Sequence, residues 1–173
     1  MGKRSDFARV ERDWYPTPRE AVVPLLPHLR DGAAFAEPCA GDGSLIFTLE
    51  REGMTCIDAL DIEPRNCWVY QQDALDWYCE PHVDYIITNP PWDRSILHPM
   101  IQHFARQRPT WLLFDADWMH TKQSAPFMPL LRAVVSVGRV KWIPDSKMTG
   151  KDNCAWYHFA PGDSPTVFHG RSA

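Results

Sequence analysis

Short apolar segments that end on acidic or amide residues alternate with helical segments along most of the chain. The pattern predicts five such strands, over residues 33–37, 56–60, 68–71, 83–88 and 111–114. Alternating strands and helices are typical of a parallel sheet with helices on both faces. Two further apolar segments, 134–143 and 154–159, are joined by a polar loop and predict an antiparallel strand pair at the C-terminal edge.

Helix signals stand between these strands. Thr17 suits a helix N-cap and Pro18 the first helical position, but Pro24 and Pro27 predict that this helix is short or broken. Three further helices are predicted over residues 44–52, with Ser44 as its cap, 95–107 and 126–132. We therefore expect an α/β, Rossmann-like, doubly wound and mostly parallel sheet of seven strands.

The chain is long enough for one domain, and we expect that domain to span residues 17–160. Its 173 residues are 45% hydrophobic and 23% charged, as in ordinary globular domains. Residues 1–16 are polar and are expected to be flexible, and residues 161–173 are expected to form a C-terminal tail. No apolar run is long enough to predict a membrane span, and the N-terminus does not resemble a secretory signal.

Charge and cysteine content narrow the classes of function. The formal net charge is −4, whereas nucleic-acid-binding domains are usually basic, so such binding would need local basic patches. The candidates for these patches are Lys3, Arg4, Arg9, Arg12, Arg139, Lys141, Lys147 and Lys151. Five cysteines without a C-x-x-C pair predict neither a disulfide framework nor a zinc site, and free thiols fit a reducing cytoplasm.

A glycine-containing loop follows the first predicted strand. Gly41 and Gly43 allow positive φ and a close approach of the backbone to a ligand, but the spacing fits neither a Walker loop nor G-x-G-x-x-G. Glu37, at the strand end, would repel a pyrophosphate and suits a cationic amino group. Asp61 ends the second strand, where an acid commonly binds ribose hydroxyls. The loop therefore predicts a ligand with a ribose and an amino-acid-like cation.

The tetrad Asn89-Pro90-Pro91-Trp92 follows the fourth predicted strand. Its prolines favour an extended backbone and have no N–H to donate, which leaves the Asn89 side-chain oxygen and the Pro90 carbonyl as acceptors. Trp92 adds a flat aromatic face. Such a site fits a planar ring with an exocyclic amino group, and the alternative is a proline-rich turn with an asparagine cap.

With these motifs the chain resembles class I S-adenosylmethionine-dependent methyltransferases that act on amino groups, and most of all small phage-type DNA N6-adenine methyltransferases. The resemblance implies S-adenosyl-L-methionine as cofactor, DNA as partner, adenine N6 as acceptor and, for a phage protein, the host cytoplasm as location. It makes Asn89, Pro90, Pro91 and Trp92 the catalytic tetrad, and it makes the N-terminal segment a cover for the cofactor. The cofactor-binding residues that follow are Tyr15, Thr17, Pro18, Glu37, Pro38, Ala40, Gly41, Gly43, Asp61, Ile62, Asp73, Ala74 and Asn89.

Candidate substrate contacts are Trp92, Trp118, Lys147 and Lys151. Trp118 lines a base pocket or packs in the core, and the loop with Lys147 and Lys151 follows the DNA backbone or is a mobile hairpin tip. The short region after the tetrad predicts loose sequence specificity. The same tetrad type also fits adenine N6 or guanine N2 in RNA and glutamine in proteins, and a non-catalytic cofactor-binding scaffold is a further alternative.

Overall fold

The computed structural model describes residues 15–143 and 150–171. Its strands are β1 Ala34–Glu37, β2 Thr55–Asp61, β3 Tyr70–Gln71, β4 Tyr85–Thr88, β5 Thr110–Asp115, β6 Leu131–Arg139, β7 Asn153–Phe159 and β8 Val167–His169. They form one sheet in the order β3-β2-β1-β4-β5-β7-β6-β8. Strands β1 to β5 pair in parallel, and β7 is antiparallel to both β5 and β6. The predicted mostly parallel sheet with an antiparallel C-terminal pair is confirmed.

The α-helices are α1 Arg19–Val22, α2 Ser44–Arg51 and α3 Arg94–Ala105, and 3₁₀ helices span Val23–His28, Ala116–His120 and Lys122–Leu130. The first helix is broken as predicted, because Pro24 and Pro27 lack the N–H that an α-helix interior needs. Two predicted caps are wrong. Pro18 occupies the N-cap of α1, and Gly43 that of α2, so Ser44 is the first helical residue.

The segment before β6 differs from its prediction. The sequence predicts a helix over residues 126–132, but the 3₁₀ helix ends at Leu130 and β6 begins at Leu131. Pro126 and Pro129 prevent a regular α-helix there, while the mostly buried residues from Leu131 onward suit a central strand.

Among the described residues, strand β8 raises the number of strands from the predicted seven to eight, and it lies within the expected tail. It pairs in parallel with β6. Two side chains fasten the preceding segment: the Arg132 guanidinium donates to the Gly162 carbonyl, and the Thr166 hydroxyl donates to the Leu131 carbonyl over 2.8 Å. Since β8 has only three residues, the sequence carries too short an apolar pattern to predict it.

The helices cover both faces of the sheet, and each face has its own core. Ile87 of β4 packs with residues of α1 and α2, whereas its neighbour Ile86 packs with residues of α3. The chain reverses its direction of winding between β1 and β4, which are neighbours in the sheet. In such sheets a crevice forms at the carboxyl ends of these two strands. No helix in the described part of the chain is long and apolar enough to cross a membrane.

Candidate functional site

A cavity of 720 Å³ opens where β1, β2 and β4 end, and its size is that of an ordinary small-molecule site. Most of the predicted cofactor residues line it, together with one proline of the tetrad. These residues are Tyr15, Thr17, Glu37, Pro38, Ala40, Gly41, Asp61, Ile62, Asp73, Ala74, Asn89 and Pro91. The fold thus brings the N-terminal segment, the glycine loop and two tetrad residues, Asn89 and Pro91, to one place. The other two tetrad residues, Pro90 and Trp92, do not line the cavity.

The wall of this cavity is acidic. Its carboxylate residues are Glu37, Asp42, Asp61, Glu63, Asp73 and Asp93. Among the described residues, Arg65 is the one lysine or arginine in the lining. A wall of this charge favours a cationic ligand and disfavours a pyrophosphate.

Glu37, the last residue of β1, is the buried acid of the site. Its side chain is 2% exposed, and among the described residues its Oε2 atom has no hydrogen-bond partner. Burial raises the pKa of Glu37 well above its usual range, and the nearby carboxylates of Asp61 and Asp42 raise it further. A buried acid with an unpaired oxygen can form a strong ion pair when a cation enters, so the chemistry of this wall fits an ammonium-bearing ligand.

Asp61 at the end of β2 organises two loops at once. Its Oδ2 accepts from the Gly41 N–H over 2.8 Å and its Oδ1 accepts from the Glu63 N–H over 2.8 Å. Gly41 has φ +53°, which favours glycine. Each carboxylate oxygen can accept a second hydrogen bond, so Asp61 can also bind a hydroxyl group of a ligand.

Gly43 does not line the cavity. Its backbone conformation and a neighbouring side chain explain why this position needs a glycine. Its φ is +85°, and a Cβ atom there would lie 2.3 Å from Cη2 of Trp68. Gly43 and Pro18 line a shallow groove beside the cavity instead. The structure therefore separates these two residues from the other predicted cofactor contacts.

Two further predicted residues shape the far wall. The Asp73 Oδ1 atom accepts from the Leu75 N–H over 2.9 Å, which makes a tight turn that places the buried Ala74 against the cavity. Ile62 is half exposed at the rim.

The tetrad directly follows β4. The Asn89 Nδ2 atom donates to Thr17 Oγ1 over 3.2 Å, and the Trp92 Nε1–H donates to Asn89 Oδ1 over 3.4 Å. Pro90 is buried and Trp92 is half-buried. Asp93 then caps α3 by accepting from the Ser95 N–H over 2.8 Å. The tetrad is thus held between a central strand and a capped helix, with Asn89 on the cavity wall.

Of the other substrate candidates, Trp118 lies away from the cavity. Trp118 is 2% exposed, packs against Phe114, and donates from Nε1 to His98 Nε2 over 3.1 Å. It is a core residue and does not line the cavity. Lys151 is exposed, and Lys147 lies outside the described residues.

Sequence reasoning missed two kinds of site residue. Trp142 packs edge-to-face on Trp92 with ring centroids 6.0 Å apart, and it also contacts Tyr15. The sequence predicts Trp142 inside a strand, but β6 ends at Arg139, so Trp142 lies outside the strand and next to Trp92. Ser95 and Met100 of α3 also line the cavity, and the start of this helix next to the tetrad was the available signal.

The cysteines are free thiols, and one of them lies in the cavity wall. Burial raises the pKa of the Cys39 thiol, and the carboxylate of Asp61 raises it further. The thiol therefore stays protonated at neutral pH and is a poor nucleophile. Within residues 15–143 and 150–171, no group of three histidine, cysteine or acidic side chains is placed to bind a metal ion.

Comparison with known proteins gives matches in structure but not in sequence. The sequence matches no known family profile and no curated protein. A Listeria monocytogenes structure, provisionally named a class I S-adenosylmethionine-dependent methyltransferase, is similar with a TM-score of 0.62 and 12% identity, over 95% of this chain and 68% of that chain. A Pyrococcus horikoshii structure, provisionally named an RNA methyltransferase, has a TM-score of 0.59 and 17% identity over 91% of both chains.

A third similar structure is the methyltransferase subunit of a type I restriction-modification system from Streptococcus thermophilus. Its TM-score is 0.58 at 10% identity, over 88% of this chain and 45% of that chain. At such identities the likeness is one of fold. The chain has the Rossmann-like fold of S-adenosylmethionine-dependent methyltransferases.

Proposed function

We propose that the protein is an S-adenosylmethionine-dependent methyltransferase that methylates the exocyclic N6 amino group of adenine in DNA. One observation carries the proposal. Asn89, the residue that joins the tetrad to β4, lines the same acidic cavity as the buried Glu37. Glu37, which suits a cationic cofactor, and Asn89, which can accept from an amino group, would therefore act from one cavity.

On this proposal, different acidic side chains bind different groups of the cofactor. S-adenosylmethionine, when bound, supplies a methyl group on a positively charged sulfonium. Glu37 would hold the ammonium group, and Asp61 would accept from ribose hydroxyls while it keeps the Gly41 loop in place. Asp73 and Ala74 would contact the adenine ring of the cofactor. The fit rests on the acidity of the wall and on the unpaired Oε2 atom of Glu37.

The tetrad would prepare the acceptor. The lone pair of an adenine amino nitrogen is delocalised into the ring, so the nitrogen is a weak nucleophile. Asn89 Oδ1 and the Pro90 carbonyl would accept the amino hydrogens, which favours a pyramidal nitrogen and localises its lone pair. Trp92 would stack on a base that has left the duplex or is single-stranded. This chemistry depends on positioning and needs no covalent enzyme intermediate.

An RNA base is the second candidate acceptor. The similar Pyrococcus horikoshii chain carries an RNA methyltransferase name and matches this chain over 91% of both lengths, whereas the Streptococcus thermophilus chain is a methyltransferase subunit of a type I restriction-modification system. Guanine N2 and adenine N6 in RNA present the same planar amino group, as does a protein glutamine. The aromatic face of Trp92 favours a nucleobase over a glutamine amide.

One experiment separates these acceptors. The protein is incubated with methyl-labelled cofactor and, separately, duplex DNA, single-stranded DNA, RNA and protein, and the labelled nucleosides or amino acids are identified. Asn89→Ala tests the site, and Asn153→Ala, an exposed asparagine at the start of β7, is the matched control. We expect labelled N6-methyladenine in DNA from the wild type and Asn153→Ala, and roughly a hundredfold slower labelling by Asn89→Ala.

Other results would contradict the proposal in distinct ways. Labelled guanine or adenine in RNA alone would move the substrate class to RNA. Label in protein would make the substrate a polypeptide. Cofactor binding without transfer to any acceptor would favour a non-catalytic scaffold.

A further inference from the structure

Both polar atoms of the Asn89 side-chain amide make hydrogen bonds. Its Nδ2 atom donates to Thr17 Oγ1 over 3.2 Å, and its Oδ1 atom accepts from the Trp92 Nε1–H over 3.4 Å. Thr17 precedes Asn89 by 72 residues and is 6% exposed, so the contact is made by the fold, at the cavity wall.

These two partners define which way round the amide points. An indole N–H is a donor only, so the atom that faces Trp92 Nε1 must be the amide oxygen. The NH₂ group then faces Thr17, whose hydroxyl oxygen can accept from it. A reversed amide would set two donors, Nδ2–H and Nε1–H, against each other and leave the Thr17 contact to the amide oxygen.

The orientation decides whether the site can act on an amine. An amino substrate needs an acceptor at Asn89, and a reversed amide would present further N–H groups to its hydrogens. Because the Oδ1 atom can accept two hydrogen bonds, the one from Trp92 leaves a second for the substrate.

We propose that Thr17 is a positioning residue that, together with the Trp92 indole, fixes the Asn89 carboxamide with its oxygen toward the acceptor amine. The proposal rests on the methyltransferase function proposed above. It gives Thr17 a role toward the acceptor in addition to the cofactor contact that the sequence resemblance implies. It also gives Trp92 a task that phenylalanine could not perform, since a phenyl ring has no N–H.

The kinetic test compares Thr17→Val with Thr17→Ser. Valine keeps the branched shape but removes the hydroxyl, and serine keeps the hydroxyl. We expect kcat at saturating cofactor and acceptor to fall about fivefold to tenfold in Thr17→Val, the size of one lost hydrogen bond, and to stay near the wild-type value in Thr17→Ser. An unchanged kcat with a raised KM for the cofactor would overturn the proposal, since Thr17 would then contact the cofactor alone.

A second readout needs no activity. The side-chain NH₂ signals of Asn89 are assigned in a ¹⁵N–¹H spectrum by their loss in Asn89→Ala, and the dispersed backbone signals show that each variant is folded. We expect Thr17→Val to shift the Asn89 NH₂ signals and Thr17→Ser to leave them near their positions. Signals that do not move in Thr17→Val would refute the positioning role. If the wild type transferred no methyl group to any acceptor, the proposed function would fail while this spectrum still decided the orientation of the amide.

Discussion

Replacing Glu37 by glutamine is expected to stabilise the unliganded protein at neutral pH and to weaken cofactor binding. Glu37 is 2% exposed and, among the described residues, its Oε2 atom is unpaired. Its carboxylate form would be a buried charge beside Asp61 and Asp42. Glutamine keeps the size of the side chain and removes the ionisable group. The folded state of the variant therefore needs neither a protonated Glu37 nor a buried carboxylate at this position.

The sign of the pH dependence follows from the direction of the pKa shift. Burial, then Asp61 and Asp42, raise the pKa of Glu37 in the folded protein above its ordinary value of 4.5. Between these two values the folded protein keeps a proton that the unfolded chain releases. The stability from Glu37 is therefore fully present below about pH 4.5 and is lost as the pH rises through the folded pKa. One proton changes the free energy of unfolding by about 1.4 kcal/mol per pH unit.

Urea unfolding at several pH values between 5 and 8 measures this directly. We expect the stability advantage of Glu37→Gln over the wild type to grow with pH, by up to about 1.4 kcal/mol per unit, and to level off at the folded pKa. Glu80→Gln, at an exposed position, is the matched control and should show no such trend. A pH-independent difference, or a variant less stable than the wild type at pH 7, would refute the argument, because Glu37 would then be ionised and well paired in the fold.

The same variant tests the proposed cation site. If Glu37 ionises to hold the ammonium group, cofactor binding releases a proton, and the wild-type affinity increases with pH below the folded pKa. Calorimetry in two buffers of different ionisation enthalpy counts that proton. In Glu37→Gln we expect weaker binding and no proton release, and equal affinity in both proteins would place the cation elsewhere.

Four further predictions concern ligand binding, turnover and stability. Asp61→Ala should weaken cofactor binding by about 1.5–3 kcal/mol in calorimetry, because it removes charge-assisted hydrogen bonds and frees the Gly41 loop. Asn89→Ala should lower kcat roughly a hundredfold while the protein still binds the cofactor, and near wild-type turnover would make the tetrad a structural turn. Lys147→Ala with Lys151→Ala should weaken DNA binding on all sequences and make the slope of log affinity against log salt concentration shallower, by about 0.9 for each phosphate that is no longer neutralised. Gly43→Ala should destabilise the fold by at least about 1–2 kcal/mol in urea unfolding, because its φ is +85° and its Cβ would displace the Trp68 ring.

The parts of the fold with strong local signals were predictable. β1 and β4 are short apolar segments that end at a glycine loop and at a double proline, and both lie within a few residues of their predicted bounds. Parallel strands place such ends at one edge of the sheet, so the convergence of Glu37 and Asn89 on one cavity also followed from the pattern.

The features of the site that the sequence did not predict depend on contacts between distant segments. The sequence predicts Thr17 as a helix cap, but its hydroxyl bonds to Asn89, and the short-range pattern around either residue carries no trace of the other. The tryptophans show the same limit: Trp118 lies in the core while Trp142 packs on the tetrad, and the local sequence around each gives no way to tell them apart. Packing between elements decides both cases.

The charges of the molecule constrain how an acidic protein could act on DNA. An acidic cavity attracts a cationic cofactor but repels phosphates, so on our proposal the nucleic-acid backbone must stay outside it and only the uncharged base can approach the tetrad. Asn89 lies on that boundary, with the acidic cavity on one side and the Trp92–Trp142 pair on the other. The phosphates on either side of a displaced base would be repelled by the acidic wall at the cofactor side. That repulsion would make the base, rather than the backbone, the part of the substrate that enters.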